Sequence, residues 1–213
     1  IEIIQTKKIF VSQVSCVLFD LGGVIINWSD SWLIQEVSKE FQLQEDKVAK
    51  EFRKNLPNIS IGEVDEKKFW KTIGKELESE KLQNYEQSIL DRMFRKRVSL
   101  NESVISLSKD LAQKNMPVGI LSNTEFVIFS VIEDLISLEH FKYKFLSYEI
   151  GHMKPDVEIY NYVIENTPIP KEEIFFIDDL KTNVESARNA GIDAVQYSDY
   201  NSLIQECKIR KLL

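Results

Sequence analysis

Cysteine, basic charge and long apolar runs are all in short supply in this chain of 213 residues, and each shortage excludes a class of protein. The two cysteines, Cys16 and Cys207, are too few for a framework of disulfide bridges and lack the spacing of a metal site. We therefore expect a reducing, cytoplasmic setting. No stretch approaches the roughly twenty apolar residues of a membrane span, and the start of the chain lacks the pattern of a signal peptide. The sequence thus predicts no association with a membrane.

The charge balance argues against a nucleic-acid partner. The formal net charge is -7 at pH 7, whereas phosphate backbones favour proteins with clustered lysine and arginine. The one basic cluster lies in a helix-like stretch and is interpreted as a solvated helix end: Arg92, Arg95, Lys96 and Arg97. With 43% hydrophobic and 29% charged residues, the composition is that of a soluble globular protein with a substantial core.

The distribution of apolar residues divides the chain into three tracts. Residues 14–19 form a compact apolar run that ends at Asp20 and is typical of a buried strand with an abrupt loop after it. Residues 31–98 carry apolar side chains at three- and four-residue steps, which predicts a helical tract. Pro57 and Gly62 interrupt this tract and divide it into roughly four helices.

Strands and helices alternate from residue 101 onward. Apolar runs predict strands at 117–121, 143–146, 174–177 and 194–197, and amphipathic stretches predict helices at 103–114, 125–136, 156–165, 181–190 and 202–208. This alternation predicts an α/β fold, a Rossmann-like parallel sheet covered by helices on both faces. The helical tract is then an insertion after the first strand, whereas residues 1–13 carry no pattern that we can interpret.

Polar residues follow the predicted strands at the points where the strands end. Because ligands of open parallel sheets bind at the carboxyl ends of the strands, these residues are candidates for a functional site: Asp20, Ser122, Asn123, His152, Lys154, Asp178 and Asp179. Each has a structural alternative as a turn former, a helix cap or a solvated charge. Their shared placement at one edge favours a functional site.

The types of these residues suit phosphoryl chemistry. Clustered carboxylates repel one another unless a cation holds them, and Mg²⁺ prefers a few hard oxygen ligands. Lys154 can neutralise Asp20 and a transferred phosphoryl oxygen, while Ser122 and amides at a helix start can hold the other phosphoryl oxygens. Asp20 then suits the role of a nucleophile that forms an aspartyl-phosphate, which water hydrolyses.

Four segments contain these residues and their flanking glycines: VLFDLGGV at 17–24, GILSNT at 119–124, GHMKPD at 151–156 and FFIDD at 175–179. Their content and order resemble the four motifs of the haloacid-dehalogenase-like hydrolase superfamily. The sequence resembles the phosphatases of this superfamily, including sugar-phosphate phosphatases with an Asp-Leu-Gly start. The helical tract resembles the cap that this superfamily inserts after its first motif. The resemblance therefore implies a Rossmann-like core, residues 1–26 and 99–213, and a small helical-bundle cap, residues 27–98.

The resemblance also implies a role for each motif residue. Asp20 would be the nucleophile and a Mg²⁺ ligand, with the carbonyl group of Gly22 as a second ligand. Asp179 is preferred over Asp178 as the ligand from the fourth motif, but the spacing leaves open which of them contacts the metal directly. The expected phosphate-binding residues are Gly23, Ser122, Asn123 and Lys154, and Asn183 would support the metal ligands.

Gly22 is a departure from the family's usual pattern. Most of these phosphatases carry an aspartate there as general acid and base, and loss of such a group costs on the order of 10²- to 10⁴-fold in rate. Relatives with the Asp-Leu-Gly start share the glycine and are still phosphatases. His152 is a candidate replacement or a loop histidine, and Asp30 is a candidate or the N-cap of a helix that starts near Ser31.

The predicted function is that of a Mg²⁺-dependent phosphatase for a small phosphorylated metabolite, either a sugar phosphate or a nucleotide-like compound. The alternative is a binding or interaction domain with weak or no catalysis, which Gly22 keeps open. A haloacid dehalogenase needs no metal, and the pair Asp178 and Asp179 argues against it. The aromatic residues of the cap line a pocket or, as is more usual at helical spacing, form a core: Trp28, Trp32, Phe69 and Trp70. The sequence leaves the oligomeric state undetermined.

Overall fold

A five-stranded parallel sheet forms the centre of the protein in a computed structural model that describes residues 13–213. Almost all of the uninterpreted segment 1–13 thus lies outside the described residues. The strands are β1 (Cys16–Phe19), β2 (Ile26–Asn27), β3 (Ser99–Leu100), β4 (Val118–Ser122), β5 (Tyr143–Leu146), β6 (Ile174–Asp178) and β7 (Asp193–Gln196). The order in the main sheet is β5-β4-β1-β6-β7, with every neighbouring pair parallel. The predicted α/β fold is confirmed.

Strand β1 occupies the middle of the sheet and is buried throughout. It pairs with β4 on one side and with β6 on the other, so that Phe19 lies beside both Ile120 and Ile177. Because side chains alternate along a strand, Val17 and Phe19 join the larger apolar cluster, and Leu18 joins the smaller one. Both faces of the sheet are therefore buried, and Asp20 emerges at the centre of its carboxyl edge.

Five helices lie between β2 and β3: α1 (Asp30–Phe41), α2 (Glu45–Ser60), α3 (Glu66–Glu76), α4 (Glu80–Gln83) and α5 (Ile89–Arg97). Strands β2 and β3 form an antiparallel ribbon in which Ile26 pairs with Leu100, so the chain leaves the core and returns to it at one place. Aromatic edge-to-face contacts fill the helical interior, with ring centroids 5.5 Å apart for Phe52 and Phe69 and 4.9 Å apart for Phe69 and Trp70. Phe69 and Trp70 are thus core residues.

Six further helices cover the sheet: α6 (Glu102–Gln113), α7 (Phe126–Leu135), α8 (Ser147–Ile150), α9 (Val157–Glu165), α10 (Lys181–Ala190) and α11 (Tyr200–Ile209). Helices α6, α7 and α11 contribute to the larger apolar cluster, whereas α9 and α10 contribute to the smaller one on the opposite face. Helix α10 ends as predicted at Gly191, whose φ of 98° provides a left-handed C-cap.

The prediction that Pro57 divides two helices is wrong, because Pro57 lies inside α2. Pro57 is exposed in the last turn of α2, where its ring faces solvent. Its carbonyl still accepts a hydrogen bond from the Ile61 amide at 3.0 Å. Gly62 does follow the helix end, with a φ of 77°. Roughly four helices were expected in this tract, and the additional one is the four-residue α4.

The prediction that Asp30 caps the first inserted helix is also wrong. Ser29 occupies the N-cap position, and Asp30 is the first helical residue. The Asp30 carboxylate instead accepts a hydrogen bond from the Trp28 indole at 3.2 Å.

The basic cluster occupies the end of α5 and is neutralised by acidic neighbours. Lys96 and Arg97 both pair with Glu36, at 2.8 and 2.6 Å, and Arg95 pairs with Asp134 of α7 at 2.5 Å. These contacts bear out the interpretation as a solvated helix end. None of the helices formed by residues 13–213 has the length and apolarity that crossing a membrane requires.

Candidate active site

The loop after β1 holds Asp20 in a fixed position at the sheet edge. The Asp20 amide continues the sheet by donating to the Ile177 carbonyl at 2.9 Å. The Leu21 carbonyl then accepts hydrogen bonds from three successive amides, at residues 24–26, which closes a tight turn. The Leu21 amide donates to Oδ1 of Asp20 at 2.7 Å, so this carboxylate, only 7% exposed, cannot rotate freely.

Lys154 joins the first and fourth motifs through its side chain. Its Nζ lies 2.9 Å from Oδ1 of Asp20 and 2.7 Å from Oδ2 of Asp178, and it also donates to the Leu121 carbonyl at 3.0 Å. The ammonium group has three protons, so all of its donors are used. Because Lys154 is buried, these ionic contacts are far less screened than surface ion pairs are.

The Asn123 side chain binds the backbone of Lys154 instead of pointing an unoccupied amide at the site. Its amide nitrogen donates to the Lys154 carbonyl at 2.7 Å, and its amide oxygen accepts from the Lys154 backbone N–H at 2.8 Å. Both ends of the Asn123 side chain are thereby occupied, and the peptide bond that follows Lys154 is cis. Ser122, at the end of β4, is buried with its hydroxyl 3.4 Å from the Asn123 carbonyl, a contact too long to hold the hydroxyl firmly.

Asp178 is fully buried, and each of its carboxylate oxygens accepts hydrogen bonds from the protein. Oδ1 accepts from the Leu180 amide at 2.8 Å and from Asn183 at 3.0 Å, while Oδ2 accepts from Lys154 and from Asn183 at 3.1 Å. Asn183 is held in turn by the Tyr160 hydroxyl, which donates to its carbonyl at 2.9 Å. Asp178 therefore fixes the Lys154 side chain and the start of α10 in position.

Asp179 is less enclosed than Asp178 and lies over the glycine loop. A Cβ atom on Gly23, whose φ is 71°, would collide with the Asp179 carboxylate. The carboxylate accepts no hydrogen bond from another residue in the range 13–213. One oxygen each of Asp20, Asp178 and Asp179 lies within 4.8 Å of the others. Asp179 is consequently the carboxylate of this group with the most bonding capacity left.

The negative charge of the three carboxylates exceeds the positive charge beside them. Burial raises the pKa of Asp20 to about 7; Asp178 adds to this rise, whereas Lys154 and the Ser122 hydroxyl oppose it. Burial and Asp178 also raise the pKa of Asp179. Burial by itself would lower the pKa of Lys154, but Asp20 and Asp178 outweigh that effect and raise it. One ammonium group is thus too little charge for three ionised carboxylates.

The donor set fits a small divalent cation. Three carboxylates with one lysine leave a charge of -2 when all are ionised, and Mg²⁺ uses a few carboxylate oxygens while keeping several waters. The Gly22 carbonyl also accepts no hydrogen bond within residues 13–213, because the backbone hydrogen bonds of the loop use Leu21 and Ile26 as acceptors instead. Asp20, Asp179 and the Gly22 carbonyl are the residues that would hold the ion.

Two sequence candidates for a general acid have different positions. His152 is exposed in the loop before Lys154. Asp30 lies at the start of α1, next to a cavity between the inserted helices and the core. At Gly22 itself, an added Cβ atom would have no neighbour within 4 Å, so the position of the missing carboxylate is open space.

Sequence reasoning missed a second group of polar residues between the inserted helices and the core. The Ser60 hydroxyl, at the end of α2, donates to Oε1 of Glu125 at 2.7 Å. The Ser147 hydroxyl donates to the Ser60 carbonyl at 2.5 Å and accepts from the Thr124 amide at 3.0 Å. Glu125 was taken for an ordinary helix start, and the serines have no motif around them. Only their proximity in space reveals the group.

Fold and site together define a class of protein: an α/β protein with a Rossmann-like sheet, an acidic carboxyl edge and helices inserted after the first strand. The chain belongs to the haloacid dehalogenase-like hydrolases, whose family model matches residues 17–197.

Three comparisons place the chain within this family. It is 25% identical over 189 residues to the D-ribitol-5-phosphate phosphatase of Bacteroides thetaiotaomicron, covering 84% of this chain and 90% of that protein. A crystal structure of a family enzyme from the same organism, in complex with magnesium and inorganic phosphate, superposes with a TM-score of 0.74 at 25% identity, covering 89% of this chain and 98% of that one. The bifunctional epoxide hydrolase 2 of Rattus norvegicus is 25% identical over 114 residues, 51% of this chain. The chain matches only 20% of the length of that epoxide hydrolase.

Proposed function

We propose that this hydrolase is a Mg²⁺-dependent phosphatase that releases phosphate from a small phosphorylated metabolite. The observation that carries the proposal is the contact of Lys154 with both Asp20 and Asp178, beside the unsatisfied carboxylate of Asp179. The phosphatase and the magnesium–phosphate complex among its relatives support the same chemistry. A haloacid dehalogenase needs no metal, so three carboxylates clustered as metal ligands argue against that activity.

In the proposed reaction Asp20 attacks the phosphorus atom, and the bond from phosphorus to the substrate's alcohol oxygen breaks. The leaving alkoxide takes up a proton from solvent water, because Gly22 has no acidic side chain. Water then attacks the aspartyl-phosphate, releasing inorganic phosphate and restoring the carboxylate. Lys154, which contacts Asp20, would orient this nucleophile and balance the charge of the phosphoryl group. Ser122 and Gly23 would bind its other oxygens.

Mg²⁺ bound by Asp20, Asp179 and the Gly22 carbonyl would supply charge stabilisation for the phosphoryl oxygens. Asp178 and Asn183 would hold these residues in place, and Asn123 would act by fixing the backbone of Lys154. Residues 27–98 would act as a cap that closes over the site and limits the access of water.

The test is phosphate release from p-nitrophenyl phosphate and a panel of metabolite phosphates, with Mg²⁺ or with chelator. We expect turnover that requires Mg²⁺ and that falls on the order of 10³-fold or more in Asp20→Asn, because the nucleophile is lost. Asp110→Asn, at an exposed position of α6, is the matched control and should keep full activity.

The second candidate is a binding domain without efficient turnover, which the open position at Gly22 favours. Under this alternative, folded wild-type protein would bind phosphorylated compounds in the presence of Mg²⁺ but would release no phosphate from any of them. That result would refute the phosphatase proposal.

A further inference from the structure

A cleft with a volume of about 460 Å³ lies between α2 and α3. Sites for small molecules usually have volumes of about 300–1,000 Å³, so this α2–α3 cleft has room for a ligand. It is lined by Asn55 and Asn58 of α2, by Glu63 and Val64 of the turn, and by Lys68, Phe69 and Thr72 of α3. All of these residues belong to the inserted helices, and the cleft is therefore separate from the phosphoryl site.

Hydrogen bonds fix the walls of the α2–α3 cleft. The Asn58 carbonyl accepts from the amides of Glu63 and Val64, at 2.9 and 3.3 Å, which closes the turn after α2. The Asp65 carboxylate accepts from the Lys68 amide at 2.7 Å and caps α3. The cleft is thus present without a ligand, and binding has little ordering of the backbone to offset.

Asn55 presents a buried oxygen atom to the cleft. The residue is only 9% exposed, and its amide nitrogen donates to the Glu51 carbonyl of its own helix at 2.8 Å. Its Oδ1 has no hydrogen-bond partner among residues 13–213, and it is not among the atoms that those residues enclose completely. This oxygen therefore opens onto the cleft, where a ligand that donates a hydrogen bond would satisfy it.

Two opposite charges face the cleft without pairing. Glu63 and Lys68 both line it, and neither side chain has an ion pair or a hydrogen bond within the described part of the chain. A ligand with a single negative charge would be attracted by Lys68 and repelled by Glu63, and the reverse holds for a single positive charge. A ligand that carries both charges can pair with both residues.

The other polar side chains of the cleft suit an ammonium group and a carboxylate. The Thr72 hydroxyl donates its proton to the Lys68 carbonyl at 2.9 Å, so toward a ligand it can only accept. Thr72, Asn55 and Glu63 therefore offer acceptors for the protons of an ammonium group. The side-chain amide of Asn58, which has no partner in the range 13–213, can donate to a carboxylate together with Lys68.

We propose that the α2–α3 cleft binds a free α-amino acid with an apolar side chain. The ammonium group of the ligand pairs with Glu63, its carboxylate pairs with Lys68, and its side chain contacts Val64 and Phe69, the apolar residues of the wall. This binding site is independent of the proposed phosphatase reaction, because none of its residues lies at the sheet edge.

The experiment is isothermal titration calorimetry of the full chain with L-leucine and two analogues. N-acetyl-L-leucine lacks the ammonium group, and L-leucinamide lacks the carboxylate. We expect L-leucine to bind with a Kd below about 1 mM. Each analogue should bind about 3- to 10-fold more weakly, the modest factor of a partly screened charge pair.

Substitutions then assign each charge to its residue. Glu63→Gln should weaken L-leucine by about 3- to 10-fold and leave N-acetyl-L-leucine unchanged, whereas Lys68→Gln should weaken L-leucine equally and leave L-leucinamide unchanged. The matched controls are Glu76→Gln and Lys71→Gln, at exposed positions of α3 outside the cleft, and they should bind L-leucine as the wild type does.

Three results would overturn the inference: no binding of L-leucine at about 10 mM, equal or tighter binding of either analogue, or unchanged L-leucine affinity in both Glu63→Gln and Lys68→Gln. Circular dichroism of each variant verifies its fold. Phosphate release from p-nitrophenyl phosphate reports separately on the proposed function, so that either proposal can fail while the other stands.

Discussion

At the scale of single residues, the adjacent glycines after the nucleophile position have different environments. Gly23 has a φ of 71°, and a side chain there would strike Asp179. Gly22 has open space around its Cβ position and no positive φ. The backbone therefore does not require a glycine at position 22. It requires Gly23 both for its left-handed conformation and for the close approach of the Asp179 carboxylate.

We expect Gly23→Ala to lower the free energy of unfolding by about 1–3 kcal/mol because it combines a left-handed backbone with a collision. Its affinity for Mg²⁺ should fall as well, since Asp179 must move. Gly22→Ala is the matched variant and should stay within about 0.5 kcal/mol of the wild type. Urea denaturation measures the free energy of unfolding of the two variants. Similar losses in Gly22→Ala and Gly23→Ala would contradict the different roles of these glycines.

Glu125 allows a prediction about pH. Its pKa rises from 4.5 to about 7 on folding, so between these values the folded state binds more protons than the unfolded state does. Its contribution to stability is then present below about pH 4.5 and is lost as the pH rises through about 7, by up to roughly 3 kcal/mol. The difference in unfolding free energy between wild type and Glu125→Gln, measured without metal, should fall across that range. A constant difference would show that Glu125 titrates normally.

At the scale of elements, the four-residue helix α8 connects parts of the chain that are distant in sequence. Its first residue, Ser147, bonds the end of α2 through the Ser60 carbonyl and the chain after β4 through the Thr124 amide. The following residue, Tyr148, has its carbonyl so close to Gly62 that no Cβ atom fits there. Helix α8 thus supports the turn between α2 and α3. The loop that carries Lys154 follows α8 directly.

Ser147→Ala should lower the free energy of unfolding by about 1–3 kcal/mol, because it leaves a buried amide and a buried carbonyl without their partner. Amide hydrogen exchange at residues 59–62 should accelerate as the end of α2 loosens. Ser106→Ala, an exposed position on α6, is the control and should change neither quantity. Exchange that accelerates equally throughout the chain would indicate general destabilisation instead.

At the scale of the whole molecule, the surplus of negative charge at the sheet edge should couple metal binding to folding. An ion that binds only the folded state at 100 times its Kd raises the free energy of unfolding by about 2.7 kcal/mol. We expect Mg²⁺ to raise the melting temperature of the wild type, and the same concentration to have little effect on Asp179→Asn. Calorimetry with Asp110→Asn as the control measures this. An unchanged melting temperature in wild type would exclude a magnesium site.

Much of the fold could be predicted because its elements have strong local patterns. The predicted bounds of β5 and α10 coincide with those observed, since one is a short apolar run and the other ends at a glycine. The β2–β3 ribbon and α8 were missed, because two- and four-residue elements are too short to show periodicity. Pro57 misled the helix assignment because its place in an exposed last turn cannot be read from the sequence.

The sequence by itself determined the family, the parallel sheet and which residues reach its carboxyl edge, because the alternation of apolar runs with amphipathic stretches and the polar residues at strand ends are local properties of the chain. Only the tertiary structure decided which of those residues have their hydrogen bonds satisfied within the protein and which remain open to a ligand. Asp178 is saturated by Lys154 and Asn183, while Asp179 stays available. It also brought Ser60 to Glu125, 65 positions along the chain. Such contacts depend on how helices pack across the molecule, and no local pattern records them.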